Sequence, residues 1–211
     1  MVTGSDILVV RRASTCLAGS TGCDAVDVSK ATYFQTGLCA SDSGQFVIDT
    51  DATKFVLTKP PACGASAPKA GQRSYNTHIY FVAKNNKAGD GIPTLKMLEL
   101  GAGSFNTVAL ALGIEQMQIE YGNGVTPVYA AMPALAASSA AAYTDAWRHI
   151  VTVKLHLLVR NTTSSTGYTD AKTYTLGQKA DGTAYTLTPG GAFRRHVFTT
   201  VVRLNNVAGR L

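Results

Sequence analysis

The stretch Trp147–Arg160 limits the fold more than any other part of the sequence. Trp147, His149, Val151, Val153, Leu155, Leu157 and Val159 alternate with Arg148, Ile150, Thr152, Lys154, His156, Leu158 and Arg160. Successive side chains of an extended strand point to opposite faces, so the first set makes one face and the second, mostly polar, the other. A helix would scatter these residues around its circumference. The period of two predicts a central antiparallel strand.

Other signals agree with a sheet-built chain. Ser5–Arg12 is a short β-branched strand. Gln45–Asp49 and Lys54–Thr58 read as a hairpin about an Asp/Thr turn. The stretch from Pro60 to Gln72 reads as loop. His78–Lys84 and Pro93–Leu100, joined by an Asn/Gly-rich turn, form the best hairpin candidate. Val108–Tyr121 changes period partway. In its second half Met117, Ile119 and Tyr121 face one way and Gln116, Gln118 and Glu120 the other, as in a half-buried strand. Met132–Thr144 is alanine-rich, with Pro133 suited to a first turn, and is the one persuasive helix. Ala171–Leu176 and Phe193–Leu204 are the last strands. The expected architecture is α+β and β-rich, with antiparallel sheets and one short helix. It is read as one domain over residues 1–211, with a cysteine-bearing first third (1–70) and core strands over 75–206.

All four cysteines, Cys16, Cys23, Cys39 and Cys63, lie in the first third. Their spacing does not supply the paired C-x-x-C ligands of a zinc site. An even number set among Gly, Ser, Thr and Pro fits disulfides in an oxidising compartment. Of three possible connectivities, Cys16–Cys23 and Cys39–Cys63 are favoured. The first closes a small polar loop, and the second lies beyond the open end of the expected Gln45–Thr58 hairpin, within disulfide reach. Charged residues make up 15%, against roughly 25% in an average soluble domain, and no apolar run is long enough to span a bilayer as a helix.

The net charge of +6 is uneven. Residues 147–211 hold nine Lys/Arg against two Asp, and residues 1–146 hold ten against eleven Asp/Glu. Arg148, Lys154, Arg160, Arg194, Arg195 and Arg203 are therefore candidates for a basic interaction surface, and DNA is one partner such a surface would suit. Reactive chemistry finds less support. His149 and His156 are separated by an odd number and so fall on opposite strand faces, and His78 and His196 stand singly. Asp49, Asp51, Asn85, Asn86 and Asp90 place oxygen ligands on turns without completing a calcium loop. Glu115 and Glu120, again at odd separation, are expected to point apart. No nucleophile elbow, phosphate loop or dinucleotide fingerprint is present, so neither an enzyme nor a cofactor is expected.

Three ordered stretches carry a family resemblance. Leu110–Gly122 resembles the L-x-x-G-I/V-E-x-x-Q/R-x-x-Y-G segment of the PilW family of type IV minor pilins. Trp147–Arg160 resembles that family's W-x-x-V-V-x-V-R/K-I-x-L-L-V-R strand. Arg194–Asn206 resembles its terminal R-R-x-V-F-T-T-T-V-x-L-R-N strand, with Val201 and Arg203 in slightly altered places. Gly4–Arg12 and the cysteine loop after it are similar to the start of the family's periplasmic domain. The resemblance implies a β-rich head, related to the minor pseudopilin J of type II secretion, that is structural and not catalytic. Implied partners are other minor pilins, the major pilin and a PilY-type tip adhesin, in a priming complex that initiates pilus assembly and serves adhesion, motility or DNA uptake. The implied location is the periplasm and then the pilus tip. The family's leader and hydrophobic anchoring helix are not in this sequence, so the chain is expected to be the head of a longer prepilin held by that helix in the inner membrane.

Overall fold

The structure, a computed structural model, describes residues 1–29, 31–101, 104–124, 128–131 and 140–205. Its strands are β1 (Leu8–Ala13), β2 (Tyr33–Thr36), β3 (Phe46–Asp49), β4 (Gln72–Ala83), β5 (Thr94–Leu100) and β6 (Phe105–Leu112). They continue with β7 (Ile114–Asn123), β8 (Tyr129–Ala130), β9 (Ile150–Arg160), β10 (Tyr174–Gln178), β11 (Ala184–Leu187) and β12 (Arg195–Arg203). Helix α1 is Ala140–Arg148. The fold is β-rich α+β with antiparallel pairing and one short helix among the described residues. The chain divides into two units: residues 1–8, 81–96 and 109–211 in the first, and 9–80 and 97–108 in the second.

The first unit is built on an antiparallel sheet in the order β12–β9–β7–β8. Strand β9 is central, with β7 on one edge and β12 on the other, as its alternation predicts. One face buries Val153 with Val82, Ile114, Met117 and Ile119, and Leu155, Leu157 and Val159 pack against them. The face expected to be polar is also covered. The β10–β11 hairpin lies over it, and Leu158 packs there with Tyr174 and Leu176. Leu158 and Leu176 are fully buried, which contributes about 1.5–3 kcal/mol each. Gln116, Gln118 and Glu120 are likewise buried, so β7 is covered on both faces. Local alternation reports which residues share a face and not what later chain segments place on it.

Two further expectations change. Trp147 and Arg148 stand in the last turn of α1, and β9 starts only at Ile150. The Trp147 ring packs edge-on against Tyr121 at 4.8 Å, a contact reached from the helix. Arg148 suits the negative end of the helix dipole. Of the helix expected over 132–144, residues 132–139 lie outside the described residues, and the described helix continues four residues past Thr144.

The other large sheet has the order β3–β2–β4–β5–β6, with β1 also pairing β4. Strands β4 and β5 are the neighbours expected of the His78–Leu100 hairpin. The Gln45–Thr58 hairpin does not form: β3 pairs with β2, placing Phe34 opposite Ile48. Residues 52–54 make a single 3-10 turn, and the chain after it is drawn inward. Phe55 and Leu57 are buried with Tyr33. The buried Gln35 side chain takes the place of a strand partner: its Oε1 accepts from Leu57 N at 3.1 Å, and its Nε2 donates to Ala70 O at 2.7 Å. Two buried apolar side chains outweigh continued pairing with β3. Disulfides join Cys16 to Cys23 and Cys39 to Cys63, with Cα separations of 5.8 and 5.6 Å.

Candidate functional site

Two clusters of charged side chains in the first unit lie on the sheet side that the β10–β11 hairpin covers. The register of β7 against β9 shifts between Ile114 and Gln116. This bulge turns Glu115 to the side that also carries Gln116, Gln118 and Glu120. Glu115 and Glu120 therefore share a face, contrary to the expectation from their odd separation. Counting parity along a strand fails at a bulge.

Glu120 Oε2 lies 2.8 Å from His156 Nε2 and 3.2 Å from Lys154 Nζ. Burial opposes its ionisation, but the hydrogen bonds from His156 and Lys154 outweigh that and hold the carboxyl below its ordinary range. His156 Nδ1 in turn meets Thr199 Oγ1 at 3.1 Å, so the chain Glu120–His156–Thr199 crosses β7, β9 and β12. One strand end away, Arg195 forms a fork on Glu115, Nε to Oε2 at 2.5 Å and Nη2 to Oε1 at 3.1 Å. Its Nη1 donates to Asp170 at 2.8 Å, and Arg160 reaches Glu115 at 3.4 Å. The Arg195 side chain is only 3% exposed. Burial disfavours its charge, yet the bonds to Glu115 and Asp170 more than compensate and raise its pKa. Asp170 accepts from Arg195, the Tyr174 hydroxyl and Lys172 N, and its carboxyl is held low. Burial and that carboxylate push the Tyr174 phenol up to about 12.

These groups can hold three strands and a hairpin in register. A Thr–His–Glu chain has the donors and acceptors of a nucleophile relay, but acyl transfer also needs a cleft and donors for the developing oxyanion. Here the backbone of Gly177 closes over Glu120 and His156; a Cβ there would stand 2.9 Å from the Glu120 carboxyl carbon and 3.0 Å from His156 Nε2. A groove of this unit, about 530 Å³, is lined by Gly4, Asp6, Gln118, Lys179 and Tyr185 among others. Three of its polar side chains bond to the backbone. Gln118 Nε2 and Tyr185 Oη donate to Gly4 O, and Asp6 Oδ2 accepts from Ile119 N. Burial raises the Asp6 pKa against that last bond.

The six basic candidates do not come together as one surface. Lys154, Arg160 and Arg195 are matched by carboxylates in the two clusters. Arg148 and Arg203 are exposed, and Arg194 lies over the Tyr168 ring at 4.6 Å. The histidines are dispersed: His78 pairs with Glu99 at 3.4 Å, His149 Nδ1 meets Asp145 O at 2.9 Å, and His196 lies against Phe198. Turn carboxylates bond to their own loops, Asp90 to the amides of Asn86, Lys87 and Ile92, and Asp49 to those of Thr50 and Asp51. Sequence reasoning missed Asp170 as the buried anchor of Arg195. Its signal was its rarity, as one of only two acids in a strongly basic third.

The sequence model of the type IV pilus-assembly protein W family matches residues 79–206, more than half of the chain. The chain belongs to the PilW family. The match begins in β4 and takes in both charged clusters and every strand from β5 onward; the four cysteines lie ahead of it. A role connected with type IV pilus assembly follows from membership. No curated protein and no solved structure matches the chain. Among the described residues, no helix is long and apolar enough to cross a membrane.

Proposed function

We propose that this PilW-family chain is the head of a structural minor pilin, which docks beside other minor pilins in the priming complex at the pilus tip and works without a reactive centre. The family match over residues 79–206 carries this reading. The interior supports it: the carboxylates of the two buried clusters are each tied to a cation, which serves a rigid subunit and leaves no unpaired base there for catalysis. Two disulfides suit service outside the cytoplasm. In this reading the major pilin and a PilY-type adhesin are its further partners, and the head works in the periplasm before assembly and at the cell exterior after it. The test is deletion of the gene in its own bacterium, followed by counting surface pili by electron microscopy. Loss of pili, restored by the wild-type gene and accompanied by co-purification of other minor pilins, is the expected result. Undiminished piliation in the deletion strain would overturn the proposal.

A further inference from the structure

The two edges of the β12–β9–β7–β8 sheet differ. Beyond β7, Asp6 N donates to Met117 O at 2.9 Å, Ile119 N donates to the Asp6 carboxylate, and β8 pairs at Tyr121 and Gly122. At the other end, β12 has β9 as its only sheet partner among the described residues. The register fixes which of its groups are unused. Asn161 N donates to Arg194 O and Leu204 N donates to Val151 O, and the pairing between them is unbroken. Hydrogen-bonded pairs alternate along an antiparallel ladder, so the even-numbered residues of β12 bond to β9. Val197, Thr199, Val201 and Arg203 turn their N–H and C=O groups outward, and no hydrogen bond to these backbone groups occurs among the described residues.

Three apolar side chains at this edge are uncovered beside the exposed Thr199 and Thr200: Phe198 is 55% exposed, Val201 50% and Val202 46%. An edge strand left in this state is a template for another strand. Charge selects the occupant. Arg194 and Arg203 flank the apolar centre, exposed and without a carboxylate partner among the described residues. A second copy of the chain brings no acid to either end: Arg194–Leu204 contains no Asp or Glu, so pairing with another β12 would leave both exposed arginines without a carboxylate.

We infer that β12 is a docking edge for an extended segment of another protein, apolar at its centre and acidic at its ends, which adds to the sheet as a fifth strand. The inference rests on the reading of this chain as a docking head and names the chemistry of one partner. Backbone bonds would come from Val197, Thr199, Val201 and Arg203, and acidic end residues would face Arg194 and Arg203.

The experiment uses the whole chain and a capped peptide of about ten residues, alternating Val and Thr between two terminal Glu, with a Lys-ended version as control. Amide exchange by NMR is expected to slow at Thr199 and Val201 on adding the Glu-ended peptide. The Lys-ended peptide should bind roughly two- to fivefold more weakly for each ion pair lost, and R203E should narrow or reverse that preference. V201P removes an outward N–H while leaving the β9 ladder intact, a placement that edge strands accept; it should abolish the protection while preserving the fold. V201D, which retains the N–H but adds a like charge against the acidic peptide, should weaken binding without abolishing the exchange pattern. Equal affinity for both peptides, no protection at Val201, or reversible self-association of the chain through β12 would overturn the inference. In the bacterium the two readings separate: undiminished pili in the deletion strain count against the pilus role, whereas loss of pili on deletion with wild type, V201P and R203E all restoring them counts against the β12 edge alone.

Discussion

Glu120 and His156, thirty-six positions apart in the chain, are joined at 2.8 Å across β7 and β9 beneath the backbone of Gly177. Lys154 completes the charge balance, and Thr199 extends the connection to β12. A buried polar group costs stability unless it is bonded, so this set ties three strands to one register.

Acid should therefore weaken the fold. The Glu120 and Asp170 carboxyls are held below their ordinary values, so their contribution is full above the unfolded pKa, near pH 4–5, and is lost as pH falls through the folded values. Asp6 acts oppositely. Its raised pKa makes its ionised form a cost at neutral pH that disappears on acidification. In urea titrations from pH 7 to pH 3, E120Q should start less stable than wild type and lose less on acidification. D6N, whose amide oxygen can still accept from Ile119 N, should gain stability at pH 7. A constant offset between E120Q and wild type across the range would refute the coupling.

Gly177 and Gly182 separate backbone strain from crowding. Both have positive φ, +74° and +81°, but a Cβ at Gly182 would meet nothing within 4 Å. G182A should cost about 1 kcal/mol from conformation alone. G177A should cost more, by at least about 1 kcal/mol, because the methyl group displaces the Glu120–His156 pair. Equal urea midpoints for the two variants would show that the hairpin yields freely.

The cysteines should be fully oxidised. Non-reducing mass spectrometry of the native protein is expected to find no alkylatable thiol, and peptide mapping to find Cys16 with Cys23 and Cys39 with Cys63. Replacing Cys39 and Cys63 together by serine should cost roughly 2–5 kcal/mol. Four alkylatable thiols would remove the argument for an oxidising compartment.

Duplex DNA should bind weakly. With Lys154, Arg160 and Arg195 committed to carboxylates, at most Arg148, Arg194 and Arg203 of the six candidates remain for phosphates. Log K against log salt should then slope no more steeply than about −3. A slope near −5 or −6 would mean that all six cations reach the duplex.

Strand signals were legible wherever burial repeats with the period of the strand. Leu155, Leu157 and Val159, like Met117 and Ile119, lie on the core face that their alternation assigned to them. Where a longer-range contact won, sequence reading failed: Gln35 captured Leu57 against the expected hairpin, and Trp147 joined the helix to reach Tyr121. The four-residue β2 was too short to announce itself, and it became a strand because β3 and β4 pair with it on either side.

Residue order alone thus settled the sheet class, the central position of β9 and the family, since side-chain alternation and motif spacing are properties of neighbouring residues. Tertiary structure decided what those faces meet. A bulge at Glu115, a hairpin folded over His156 and an uncovered edge at Val201 each depend on segments far apart in the chain, and pairing at that distance leaves no periodic trace in local sequence.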